Sequence, residues 1–157
     1  MSDAVVMVDR RPVQERTVRA SAAGGRQGLP GTIGADCVGL VEDDPAVRLS
    51  LARLLRCLGF AVVAFASAEA LLACSDPGEF SVLLLDVQLV GMSGAELYAQ
   101  LLADGCATPA VFMSGADHAR EILRARLGEG KVLLSKPVDA DVLQAALDHV
   151  LERAAAH

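Results

Sequence analysis

From residue 37 onward, short apolar runs alternate with amphipathic stretches. The runs are CVGLVE from Cys37, FAVVAFA from Phe60, FSVLLLD from Phe80, PAVFMS from Pro109 and KVLLS from Lys131. They lack polar alternation within the run, as do strands covered on both faces. After the first, PAVRLSLARLLRCLG places Val47, Leu51, Leu54, Leu55 and Leu58 on one helical stripe. Pro45 suits its first turn and Gly59 its stop. SAEALLA from Ser67 reads as a short helix with Ser67 as cap. SGAELYAQLLADG from Ser93 reads as a third helix, with Ser93 and Glu96 in capping-box spacing. ADHAREILRARLG from Ala116 is a less apolar fourth helix, and DADVLQAALDHVLERA is a fifth, capped by Asp139. Strict strand–helix alternation with right-handed crossovers predicts a flavodoxin-like (βα)5 doubly wound sandwich: a five-stranded parallel sheet with helices on both faces.

Residues 1–35 break this rhythm. SAAGGRQGLPGTIGA is rich in glycine and small residues, and only VVMV at 5–8 could pair as a strand. The expected organisation is a disordered N-terminal tail over 1–35 and one folded unit over 36–154. The fifth helix runs to within a few residues of His157, so no output domain is expected.

Charge sharpens the division. The tail carries five arginines against three acids, a net +2, whereas residues 36–157 carry nine basic against seventeen acidic residues, a net −8. An acidic body has no footprint for a nucleic-acid backbone, and aromatic content of 3% leaves no stacking platforms. Cys37, Cys57, Cys74 and Cys106 show no CxxC pair or metal-like spacing. They read as small reduced hydrophobes, in keeping with a cytoplasmic location. No run is long enough for a membrane span, and the N-terminus lacks the pattern of a secretory signal.

In a doubly wound sheet, sites form beyond the carboxyl ends of the strands. There the first strand ends in Glu42-Asp43-Asp44, the third in Asp86, the fourth in Ser114 and the fifth in Lys136-Pro137. Clustered carboxylates repel and need neutralising, and an all-oxygen site of this kind suits Mg²⁺. With a metal, a lysine and a hydroxyl around it, Asp86 is equipped as a nucleophile toward phosphorus. Blander roles exist for each residue. Asp86 alone could cap a loop, Ser114 could be a turn serine, and Lys136 could be a surface lysine. Asp44, next to Pro45, reads better as a helix cap than as a ligand, and His118 and His149 read as solvated.

Four motifs in order, VEDD at 41–44, VLLLD at 82–86 followed by VGMSG, VFMSG at 111–115 and LSKP at 134–137, resemble the receiver domain of two-component response regulators, the CheY-like family. EDDPAVRLSLARLL and FASAEALL resemble its FixJ-like group. The resemblance implies that Asp86 is the phosphoacceptor. It implies that Asp43 and Asp86 bind Mg²⁺ directly, that Glu42 does so through water, and that the Gln88 backbone carbonyl completes the protein's share. It gives Ser114 the role of bonding the phosphoryl group and Lys136 that of pairing with it, placed by a Pro137 whose peptide bond is often cis. The implied partners are a sensor histidine kinase and a downstream protein that reads the fourth-helix/fifth-strand surface, with no nucleic acid or membrane directly. No enzymatic activity is expected beyond promoting its own phosphorylation and dephosphorylation.

Three positions depart from the pattern. Val90 replaces the usual proline, which predicts a looser loop. Leu133 replaces the switch aromatic, and the sole tyrosine, Tyr98, lies elsewhere on the third helix. Ala116 is small, which predicts easy access of water and a short phosphoryl lifetime. Val90 and Leu133 keep open a degenerate receiver that works as a phosphorylation-independent interaction module. A phosphatase of the HAD-like family is disfavoured because Gln88 stands where its second aspartate would be. A dinucleotide-binding domain is disfavoured because EDDPAV replaces the glycine-rich turn.

Overall fold

The computed structural model describes residues 7–8, 36–74 and 76–156. In chain order the strands are β1 (Met7–Val8), β2 (Cys37–Val41), β3 (Ala61–Phe65), β4 (Val82–Asp86), β5 (Ala110–Ser114) and β6 (Val132–Ser135). The helices are α1 (Pro45–Cys57), α2 (Ala68–Leu72), α3 (Gly94–Ala103), α4 (Ala119–Leu127) and α5 (Ala140–Ala155), with a 3-10 turn at Pro77–Glu79. Sheet order is β1-β3-β2-β4-β5-β6. The five strands β2 to β6 are parallel, as the apolar rhythm predicts. To these the structure adds β1, which pairs antiparallel with the edge strand β3 through Met7 with Ala64 and Val8 with Val63. Apart from these two residues, the predicted tail lies outside the described residues.

The sheet splits the core in two. Val38, Leu40, Val82, Leu84, Val111 and Met113 face α1 and α5, packing on Leu51, Leu55, Leu143 and Leu147. Their neighbours Val41, Leu83, Leu85 and Phe112 face α2, α3 and α4, packing on Leu71, Leu97, Leu101 and Leu123. This is period-two alternation with both faces buried, so it leaves no hydrophobic–polar alternation in the sequence. β4 is buried at every position, Asp86 included. Each fully buried leucine contributes roughly 1.5–3 kcal/mol relative to exposure, which anchors the central strand and the carboxylate at its tip.

The helix starts follow the predicted caps. Asp44 accepts from the Ala46 and Val47 N–H groups ahead of α1. Ser67 caps α2, Asp139 caps α5, and Ser93 and Glu96 close a reciprocal capping box on α3. α4 begins instead after His118, with no side-chain cap bond. Gly59 follows α1 with φ of +99°, a conformation that glycine adopts without the Cβ penalty.

Candidate functional site

β2 and β4 are hydrogen-bonded neighbours in the middle of the sheet. The chain leaves β2 toward one face through α1 and leaves β4 toward the other through α3. Their carboxyl ends therefore border the crevice of a topological switch point. Glu42 and Asp43 follow β2, Asp86 ends β4, Ser114 ends the adjacent β5, and Lys136 follows β6. The structure brings all five to one edge of the sheet.

Lys136 binds two of the acids at once. Its Nζ lies 2.7 Å from Glu42 Oε1 and 2.8 Å from Asp86 Oδ2. The side chains of Glu42 and Asp86 are 1% and 4% exposed, so a single ammonium is shared by two desolvated carboxylates and balances the charge of only one of them. Glu42 has further support: its Oε2 accepts from the Asp44 N–H at 3.1 Å, and its carbonyl accepts from Arg48 Nη1 at 2.8 Å. Burial pushes the Glu42 pKa above the usual carboxylate value, against the hydrogen bonds from Lys136 and Asp44 that hold it down. Burial also acts to lower the Lys136 pKa, but its bonds to Asp86 and Glu42 outweigh that and raise it, so the ammonium is held charged.

Asp86 Oδ1 accepts from the Gln88 N–H at 2.9 Å. The loop after β4 is therefore folded back onto the carboxylate. Gly94 permits this close fit: a Cβ there would land on the Asp86 carbonyl oxygen and 3.0 Å from its carbon. The Gly94 N–H meanwhile donates to the Val87 carbonyl at 3.1 Å. Gly91, in the same loop, has φ of +85°. The Lys136–Pro137 peptide bond is cis, as expected.

One carboxylate oxygen each from Glu42, Asp43 and Asp86 lies within 4.8 Å of the others. An all-oxygen set of this charge fits a hard divalent cation that keeps several waters. Gln88, expected to contribute its carbonyl, sits on the rim of this cluster through its N–H bond to Asp86.

Val90 gives the loop a tie. Its N–H, a donor that proline lacks, bonds Asp43 Oδ2 at 3.2 Å and ties the β4–α3 loop across the crevice. The Val90 residue itself is 82% exposed beside the acids. Leu133 is partly buried and packs against the cluster that contains Phe112 and Leu97. Tyr98 is buried away from the crevice, with its hydroxyl donating to the Thr108 carbonyl at 2.7 Å and its ring edge-on to Phe112.

Two contacts had no signal in the sequence. Ser114 Oγ donates to Gln88 Oε1 at 3.2 Å and accepts from the Ala116 N–H at 2.9 Å. Arg48 was legible only as a polar position on α1. Among the described residues no disulfide joins the four cysteines, and no helix is long and apolar enough to cross a membrane.

Residues 38–148 match the family model described as "Response regulator receiver domain". Nodulation protein W of Bradyrhizobium diazoefficiens is 38% identical over 109 residues, which are 69% of this chain and 48% of that protein. The transcriptional regulatory protein FixJ of Azorhizobium caulinodans is 36% identical over 119 residues, 75% of this chain and 56% of that protein. The chain thus spans about half the length of these curated relatives. Among solved structures, the response regulator StyR superposes with a TM-score of 0.68 at 34% identity, covering 76% of this chain and 60% of that one. The chemotaxis protein CheY4 of Vibrio cholerae, at 21% identity and a TM-score of 0.66, shares the fold over 74% of this chain and 98% of its own.

Proposed function

Since the chain belongs to the response regulator receiver family, we propose that residues 36–154 form a receiver unit that accepts a phosphoryl group on Asp86 from a sensor histidine kinase. The observation that carries this reading is the convergence of Lys136 on a buried Asp86 beside two further acids. In the transfer, an Asp86 carboxylate oxygen forms a bond to phosphorus as the bond from phosphorus to the donor breaks, its electron pair leaving with the donor. Glu42, Asp43 and Asp86, with the Gln88 carbonyl, are the residues to hold Mg²⁺. When bound, the ion offsets negative charge on the transferring group. Lys136 exchanges part of its interaction with Asp86 for the phosphoryl oxygens, and Ser114 donates to one of them.

The output is a change in a protein-binding surface at α4 and β6. Two observations support that choice. α4 starts without a side-chain cap, and it is tied to α3 by the half-exposed pair Arg126–Glu96 at 3.2 Å. Such a pair contributes at most about 1 kcal/mol, so α4 is held by the packing of Ala119 and Leu123 and little by its surface contacts. The unit's chemistry is confined to its own phosphorylation and dephosphorylation, in a reducing cytoplasmic setting. Leu133 favours a second reading, in which this surface acts without phosphate. Purified protein with Mg²⁺ and acetyl phosphate, followed by intact mass, separates the two. A gain of one phosphoryl group, lost in Asp86→Asn and in chelator, is expected. No gain would leave the phosphate-independent module.

A further inference from the structure

Ser114 is engaged by a side chain to which the phosphoryl chemistry above assigns no part. A serine hydroxyl has one proton to donate, and here that proton points at Gln88 Oε1, 3.2 Å away. The Ala116 N–H donates to Ser114 Oγ at 2.9 Å, so turning the hydroxyl away would break two hydrogen bonds. Ser114 is only 4% exposed, whereas the Gln88 residue that accepts from it is exposed. Gln88 is in turn anchored by its N–H bond to Asp86 Oδ1 at 2.9 Å. The tips of β4 and β5 are thus joined by a hydrogen-bonded path from Asp86 through Gln88 to Ser114.

We propose that Gln88 is a positioning residue whose side-chain amide oxygen holds the Ser114 hydroxyl on the Asp86 side before any phosphoryl group arrives. Its consequence for phosphorylation rests on the reading of Asp86 as acceptor; the placement of the hydroxyl does not. When a phosphoryl oxygen is present on Asp86, the Ser114 proton redirects from Gln88 Oε1 to that oxygen while Oγ stays in place. A hydroxyl already in position needs no large rotation. That accords with Leu133, which lacks a ring to swing with it.

The test uses the full chain with Gln88→Met, which keeps length and removes the amide, Gln88→Glu, which keeps an acceptor, Ser114→Ala, and the Gln88→Met/Ser114→Ala pair. In unphosphorylated, metal-free protein, three-bond couplings at Ser114 should report one χ1 rotamer in the wild type and in Gln88→Glu, and averaging in Gln88→Met. With Mg²⁺ and acetyl phosphate, Gln88→Met should slow phosphorylation by up to about threefold, the cost of selecting one of three χ1 rotamers that Gln88 otherwise fixes in advance. In the Ser114→Ala background it should have no further effect. A single rotamer retained in Gln88→Met, or an equal slowing with and without the Ser114 hydroxyl, would overturn the proposal. If the wild type takes up no phosphoryl group, the Asp86 reading fails, and the rotamer measurement alone decides the role of Gln88.

Discussion

Replacing Lys136 with methionine keeps most of the side chain's packing and removes its charge. Two carboxylates that are almost wholly buried then lose their shared ammonium partner. Their oxygens lie within 4.8 Å of one another, where two unit charges repel by about 3.5 kcal/mol at an effective dielectric of about 20. Removing one member of a buried ion pair typically costs about 3–5 kcal/mol, so the two routes agree. For a folded unit of this size that is a fall in Tm of about 10–15 °C. The loss depends on pH. Burial already raises the Glu42 pKa, and losing the Lys136 hydrogen bond raises it further. A carboxyl whose folded pKa exceeds its unfolded value binds its proton more tightly when folded, so stability falls as pH rises through that window. The deficit of Lys136→Met should therefore be larger at about pH 8 than at about pH 5. Urea denaturation in chelator measures it, and saturating Mg²⁺ should restore part of the loss by binding only the folded state. A deficit below about 1 kcal/mol at neutral pH, or one that grows toward acid, would refute the charge accounting.

Other perturbations test separate contacts. Gly94→Ala places a methyl group against the Asp86 carbonyl; a loss of about 1–3 kcal/mol in urea denaturation should accompany slower phosphorylation. Val90→Pro deletes the N–H that bonds Asp43; calorimetry should show Mg²⁺ binding tightened up to about fivefold as this competing bond is lost, and weakened binding would contradict the assignment. Tyr98 is the sole tyrosine, and burial followed by the nearby Cys106 raises its pKa. Its phenolate absorbance should appear only above the ordinary tyrosine range, and stability should fall once pH passes the unfolded value of about 10; titration at the ordinary value would show that the ring is not held as described.

The sequence displayed the elements that burial and capping make conspicuous. Apolar runs without alternation marked β2 through β6, and Asp44, Ser67, Ser93 with Glu96, and Asp139 marked helix starts that the structure reproduces. The site acids were legible because a carboxylate ending a leucine run has few places to go other than a strand tip. What stayed hidden depends on backbone donors and on side chains that meet only in space. Val90 looked like the loss of a rigid proline, yet its N–H is a bond gained. Gln88 drew attention for its carbonyl, while its side chain reaches Ser114 from 26 positions away. Glu42 drew attention for metal binding, while its side chain also bonds Lys136, 94 positions away. The pairing of β1 with β3 rests on two residues, too few for periodicity to register.

The central claim is that Asp86 carries the phosphoryl group, and the most direct measurement locates it. Full-length protein is treated with acetyl phosphate and Mg²⁺, reduced with borohydride, which converts an aspartyl phosphate to homoserine, and mapped by peptide mass spectrometry. Homoserine at position 86, absent without Mg²⁺ and in Lys136→Met, is the predicted result. An unreduced Asp86, or a reduced residue at Asp43 or elsewhere, would contradict the account.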